Sequence, residues 1–205
     1  MTPATQALLS ELDERLPEAP GSWRSAALRQ IVDLFAGGAA AYNGEQIVLF
    51  DDVIFRLLQS VDRATLAEAS KRLAAIDNAP VNAIGYLARH TDGAVCGPVL
   101  EEAKALRDAD LAVIAAKEHL DPKFLMKIAQ RPHLSAVVTD ALIKRADKEI
   151  QRAVVANATA KVSEAGFARI ITAIGDDKEF AAAVAAREDV PAELRLWLTR
   201  ILNGE

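Results

Sequence analysis

Residues 146–157 read ADKEIQRAVVAN, and residues 176–187 read DDKEFAAAVAAR. Each stretch has an aspartate at its second position, Asp147 or Asp177, able to accept a backbone N–H at a helix start. Counted from Asp147, apolar residues follow three, seven and eight positions onward at Ile150, Val154 and Val155; counted from Asp177, they follow three, four, seven and eight onward at Phe180, Ala181, Val184 and Ala185. That spacing gives one buried face on a helix of about three turns. Gln151 breaks the apolar set of the first stretch. The same arrangement recurs from Asp121, with Phe124, Leu125, Ile128 and Ala129, and more weakly from Asp92, with Val95, Cys96, Val99 and Leu100. The four origins lie 29, 26 and 30 residues apart. Pro98 falls inside the Asp92 copy, where it predicts a kink or a late helix start.

A second helix follows each of the last three copies. The turns carry Arg131-Pro132, Asn157-Ala158 and Arg187-Glu188, and new start signals stand at Ser135, Ser163 and Pro191. The apolar pairs Val138 and Leu142, Phe167 and Ile171, and Leu194 and Leu198 then fall at helical spacing. In the Asp92 copy, Asp108 opens the second helix. A short helix pair cannot bury its apolar faces alone, so units of this kind stack on their neighbours. The expectation is a solenoid of short helix pairs of the HEAT or armadillo type.

Working toward the N-terminus, the helices lengthen. An amphipathic segment spans Ala4–Leu16 and stops at Pro17; Ser22 is placed to cap a helix running to Phe35, ahead of Gly37 and Gly38. Asn43 is placed to cap the apolar stretch that follows, and Asp62 a helix reaching about Ile76. No stretch shows the alternation of a strand. The reading is an all-α protein with an N-terminal helical section over 1–76 and a helical-repeat section over 77–205, packed together as one continuous array.

Composition narrows the functional classes. The 205 residues are 51% apolar with a formal charge of −5, which argues against indiscriminate binding to nucleic acid or anionic membrane surfaces. The lone Cys96 excludes an internal disulfide and reads as a small buried hydrophobe in a reducing compartment. The first twenty residues lack the basic start and apolar core of a signal peptide, and no apolar run reaches membrane-spanning length. Cytoplasmic location is the expectation.

Several stretches resemble the bacterial domain-of-unknown-function family 2336. They are Leu49-Phe50-Asp51-Asp52-Val53, Pro98-Val99-Leu100, the set Leu106, Asp108, Asp110 and Leu111, Arg131-Pro132, Leu134-Ser135, Val138-Thr139-Asp140 with Leu142, and Ser163-Glu164-Ala165-Gly166-Phe167. The resemblance extends from about Ser22 to Ile201. It implies an alphaproteobacterial, cytoplasmic, all-helical protein related to HEAT-like repeats, and it transfers no activity and no catalytic residue. Ala158 departs from the family pattern, which often has proline after the asparagine.

Candidate chemistry is sparse. His90, His119 and His133 lack the i, i+4 pairing and the Glu-x-x-His spacing of helix-borne metal sites. Neither a phosphate-binding glycine loop nor a nucleophile elbow is written anywhere. Asp51 and Asp52 interrupt a strongly apolar helix, and adjacent helix positions point about 100° apart, so the two carboxylates do not share a face. Asp52 is placed to pair with Arg56 one turn on, and Asp51 to bond a neighbouring helix end or loop, which makes them a structural polar anchor.

Arg131, Asn157 and Arg187 stand at equivalent offsets in three repeats. Capping of helix-end carbonyls is the favoured use of such side chains. They are also the leading candidates for an edge that grips an extended peptide. The expected function is a non-enzymatic protein-interaction module without cofactor or metal, receiving a protein or peptide segment. The alternative is nucleic-acid binding through the basic section Lys123–Arg152, whose cations are interleaved with acids and lack aromatic stacking platforms.

Overall fold

The computed structural model describes residue 10, residues 14–117 and residues 120–203. Among the described residues the regular structure is all-helical, with no strand. The helix expected over Ala4–Leu16 falls mainly outside them. The chain divides into two compact units, Met1–Arg107 and Asp108–Glu205. The sequence reading placed its boundary at 76/77, where the helices shorten. The two compact units meet between two short helices, at Arg107/Asp108.

In the first unit α1 covers Gly21–Gly38, α2 Gly44–Leu58, α3 Arg63–Ala74, α4 Val81–Ala88 and α5 Gly93–Glu102. Helices α1, α3 and α5 pack in succession as one row, and α2 packs on α4 as a second. Leu28, Phe35, Ile54, Leu57, Leu73, Ile84, Leu87 and Leu100 fill the space between the rows and are fully buried. Phe35, Tyr42 and Phe50 form an aromatic cluster with centroid separations of 4.9 to 5.8 Å. Helix α1 starts at Gly21, ahead of the expected Ser22, because Pro20 supplies the extended backbone that precedes a helix. Helix α5 also starts directly after Asp92 and runs through Pro98, so the expected late start does not occur.

The second unit holds α6 (Asp108–Ala115), α7 (Pro122–Ala129), α8 (Ala136–Lys144), α9 (Lys148–Ala156), α10 (Glu164–Ile174), α11 (Lys178–Ala185) and α12 (Ala192–Asn203). Here too each helix packs on the next but one: α6, α8 and α10 form one row, and α7, α9 and α11 the other, with α12 on α11. The apolar offsets read from the sequence are the buried ones. Leu125, Ile128, Ile150, Val154, Phe180 and Val184 are all shielded, as are Val95, Cys96, Val99 and Leu100 in α5. The later helices depart from that reading: α10 buries Phe167, Ile170 and Ile174, leaving Ile171 half-exposed, and Ala185 and Leu194 are half-exposed too.

Each sequence origin is a helix cap. Asp92 accepts from the Ala94 N–H at 2.8 Å, Asp121 from Lys123 at 3.0 Å, Asp147 from Glu149 at 2.9 Å and Asp177 from Phe180 at 3.0 Å. Asp62 extends the series by accepting from Thr65 at 2.9 Å. At Asp62, Asp92, Asp121 and Asp177 these bonds favour the charged carboxylate.

Asp177 carries the strongest effect. The Lys148 ammonium, the Phe180 N–H and the Arg152 guanidinium outweigh its partial desolvation and hold it far below the ordinary value of 3.8. A carboxyl whose folded value is lowered stabilises the protein above its unfolded value of about 3.9, and that stabilisation is lost as pH falls toward the folded value. Asp177→Asn is therefore expected to melt below wild type at pH 7, with the gap closing progressively below about pH 4. Melting followed by circular dichroism across that range checks this, and a gap independent of pH would contradict it.

Candidate functional site

The residues singled out by sequence divide into two groups, each within one unit. Asp51, on α2, is buried at 6% relative exposure. Its two carboxylate oxygens accept from the Asn82 N–H at 3.0 Å and the Ala83 N–H at 2.9 Å. Those donors belong to the first turn of α4, whose preceding residue is Pro80 and has no side chain able to cap. A carboxylate from the neighbouring helix thus does the capping that the local sequence cannot.

The turn residues of the second unit are engaged with the chain itself. Asn157 donates through Nδ2 to the carbonyls of Ala129 at 2.9 Å and Arg131 at 2.7 Å, at the end of α7. Arg187, 7% exposed, donates to the carbonyls of Val155 at 3.1 Å, Asn157 at 2.9 Å and Ala160 at 2.6 Å. Its guanidinium also makes a two-pronged bond to Asp189, both contacts at 2.8 Å. Arg131 is half-buried, and that burial pushes its guanidinium below the ordinary value, with the Asp108 charge opposing. Gln151, the residue that broke the apolar set, lies 2% exposed and donates to the Ile143 carbonyl at 3.1 Å.

The basic section is interleaved with acids in space as in sequence. Lys123 pairs with Asp121 at 2.8 Å, Lys148 with Asp177 at 2.9 Å, and Arg152 also reaches Asp177. His90 accepts the Asp92 N–H at 3.0 Å, and His133 occupies a turn at φ 57°, donating its N–H to Thr159 at 3.0 Å. His119 lies outside the described residues. Among the described residues no three of His, Cys, Asp and Glu gather to hold a metal ion, and no helix is long and apolar enough to cross a membrane.

A feature the sequence reading missed lies in the first unit. A cleft of about 800 Å³ opens on the row formed by α2 and α4. Its walls carry Arg24 from α1, Arg56 and Asp52 from α2, Arg89 from the end of α4, and Arg107 just beyond α5. Gln59, Ser60 and Asn82 add neutral polar groups, while Leu16, Pro17 and Phe55 make its apolar part. The Arg24 Nη1 approaches the Leu16 carbonyl at 3.5 Å, and its Nε is buried without a hydrogen-bond partner among the described residues. Arg89 bonds the Gly85 carbonyl one turn back at 3.1 Å. Among the described residues the cleft lining carries four guanidiniums and one carboxylate. These arginines are scattered over more than eighty positions, so no local motif announces them.

Several residues of the stretches that suggested a family bond within the second unit. Ser163 caps α10 by accepting the Gly166 N–H at 2.9 Å and donates to Asp140 at 2.7 Å. Thr139 donates to the Lys161 carbonyl at 2.6 Å, and the Lys161 N–H donates in turn to the Leu134 carbonyl at 2.9 Å. A Cβ on Gly166 would lie 2.7 Å from the Asp140 carboxylate and 3.0 Å from Val162. For Gly166→Ala, crowding of about 1–3 kcal/mol outweighs up to about 1 kcal/mol of helix propensity, so the urea midpoint is expected to fall. Asp51→Ala leaves the buried Ala83 N–H and the part-buried Asn82 N–H of α4 unmatched and is expected to cost about 2 kcal/mol, while Asp51→Asn, which keeps one acceptor, costs less. An unchanged midpoint in Asp51→Ala would remove the capping role.

Residues 95–205 match the DUF2336 family, described as an uncharacterised protein conserved in bacteria. No curated protein and no solved structure matches the chain. The matched residues include the stretches from Pro98 to Phe167 that carry the resemblance and leave Leu49–Val53 outside. Covering more than half of the sequence, the match places the chain in the DUF2336 family.

Proposed function

We propose that this chain is a non-enzymatic protein-interaction module of helical-repeat type, its short helix pairs stacked in the HEAT-like manner. The observation that carries the reading is the next-but-one packing of helices in two rows within each unit. That pattern is what stacked helix pairs produce, and it leaves long, preformed side surfaces that lose little entropy when a partner docks. The internal engagement of Asn157 and Arg187 gives those surfaces rigidity. It also shifts the leading candidate for partner contact from that turn edge to the cleft on α2 and α4.

The nucleic-acid alternative draws less support, because Lys123, Lys148 and Arg152 already face carboxylates. A phosphate backbone competing for them would first have to displace those partners. The lone cysteine of the chain, Cys96, lies buried, which fits a module working in a reducing cytoplasm.

Affinity capture from a lysate of the native bacterium, with and without nuclease, tests the reading. The expected result is a stoichiometric protein retained after nuclease treatment. Recovery of nucleic acid alone, released at moderate salt, would overturn it in favour of the alternative.

A further inference from the structure

The last helix of the second unit carries a surface pattern that complements itself. Helix α12 packs on α11, and Leu198 is its single buried residue. Glu193, Leu196, Trp197 and Arg200 are all exposed. Leu196 is 71% exposed, the most open of the large apolar side chains described, and Trp197 is 39% exposed. At about 100° per residue, Arg200 and Glu193 fall between Leu196 and Trp197 in the view down the axis, so the four share an arc of about 100°. Leu198 points nearly opposite the middle of that arc. Along the helix the order is acid, two adjacent apolar residues, base, with each charge three positions from the nearer apolar residue. Neither Glu193 nor Arg200 has an ion-pair partner among the described residues.

Reversing the direction of such a face exchanges acid for base and leaves the apolar pair in the middle. A two-fold axis midway between Leu196 and Trp197 therefore sets Glu193 of one copy opposite Arg200 of the other, twice over. It also sets Leu196 opposite Trp197. Parallel alignment would instead bring Glu193 to Glu193 and Arg200 to Arg200, which repel. We propose that α12 is the contact through which two copies of this chain associate, antiparallel about that axis. A second copy fits because two-fold contacts need a patch complementary to itself, and this face is one. The chain is acidic overall, so two copies repel at long range, and the two crossed Glu–Arg pairs offset that locally.

Size sets the expected strength. A contact built on one helix of 12 residues falls below the roughly 1,200–2,000 Å² of a stable interface. Association is accordingly expected to develop between about 10 μM and about 1 mM. The module reading above does not depend on this contact. Glu193 in the first turn and Arg200 in the last also suit the charges of the helix ends. The test therefore includes a variant for which that explanation and dimer formation predict opposite results.

Sedimentation equilibrium of the full chain over that concentration range is the measurement. Wild type is expected to rise from monomer toward dimer mass. Glu193→Arg and Arg200→Glu each set like charges across the axis and are expected to weaken association about tenfold or more. Mixing these two variants is expected to restore a dimer, since one chain then carries two cations and the other two acids. Combining both substitutions in one chain is expected to restore it as well. Charges that serve only the helix ends predict that this double variant is the most impaired of the set. Melting curves confirm that each single variant is folded, and recovery in the mixture requires both chains to be so. A wild-type chain that stays monomeric throughout would overturn the proposal. Single reversals without effect, or a mixture and a double variant that fail to recover association, would overturn it too.

Discussion

The satisfaction of helix ends is the constraint on which this structure depends. A helix of eight or nine residues has four amide donors and four carbonyl acceptors without internal partners, nearly as many groups as it bonds internally. Seven of the twelve helices described here are ten residues or shorter. Leaving such ends dry and unmatched would cost more than their apolar faces return. The chain meets the donors with an aspartate before α3, α5, α7, α9 and α11, an asparagine before α2 and a serine before α10. The acceptors are met from a distance: Asn157 reaches the end of α7, and Arg187 the end of α9 and the turn after it. Because those reaching side chains belong to the next helix pair, satisfying an end also fixes the spacing between neighbours.

This division explains what the sequence shows and what it hides. Capping by aspartate is a bond across two or three residues, so Asp92, Asp121, Asp147 and Asp177 are legible as helix starts, together with the apolar face that follows each. The all-helical class follows from the same signals. Less legible is any bond made across the fold. Asp51 could be placed as a polar anchor, but its target at Asn82 and Ala83 depends on how α2 lies beside α4. Gln151 read as a flaw in an apolar stripe, and in the structure it is a donor to the Ile143 carbonyl from inside the core. The one-residue shift in α10, from Ile171 to Ile170 and Ile174, arises because several apolar positions share that helix and only packing chooses among them.

The cleft belongs wholly to the hidden class. Its arginines come from four separate segments, and each alone looks like an ordinary solvated cation. Sequence-wide charge was misleading here, since a net negative chain discourages a search for a cationic surface. Charge is instead sorted locally. In the second unit, Lys148 and Arg152 converge on one acid, Asp177, and in the first unit Arg29 pairs with Glu68 and Arg72 with Asp33 on the outer face of α1 and α3. The exposed Arg29–Glu68 and Arg72–Asp33 pairs add little stability, but they neutralise the surface they occupy. The described lining of the cleft carries four arginines and one acid, Asp52.

Asp51 connects the two themes. It lies one position before Asp52 and about one and a half turns before Arg56 on α2, and it bonds the first turn of α4, the helix that leads to Arg89. Its partner Asn82 is itself part of the cleft wall. A buried carboxylate holding two backbone amides has little freedom to slide, so α2 and α4 keep one register. The arginines that follow on each helix inherit that register. Order installed in the core by a capping bond carries along both helices toward the surface. The bond that completes a short helix is thus the same bond that spaces the cations a partner would meet.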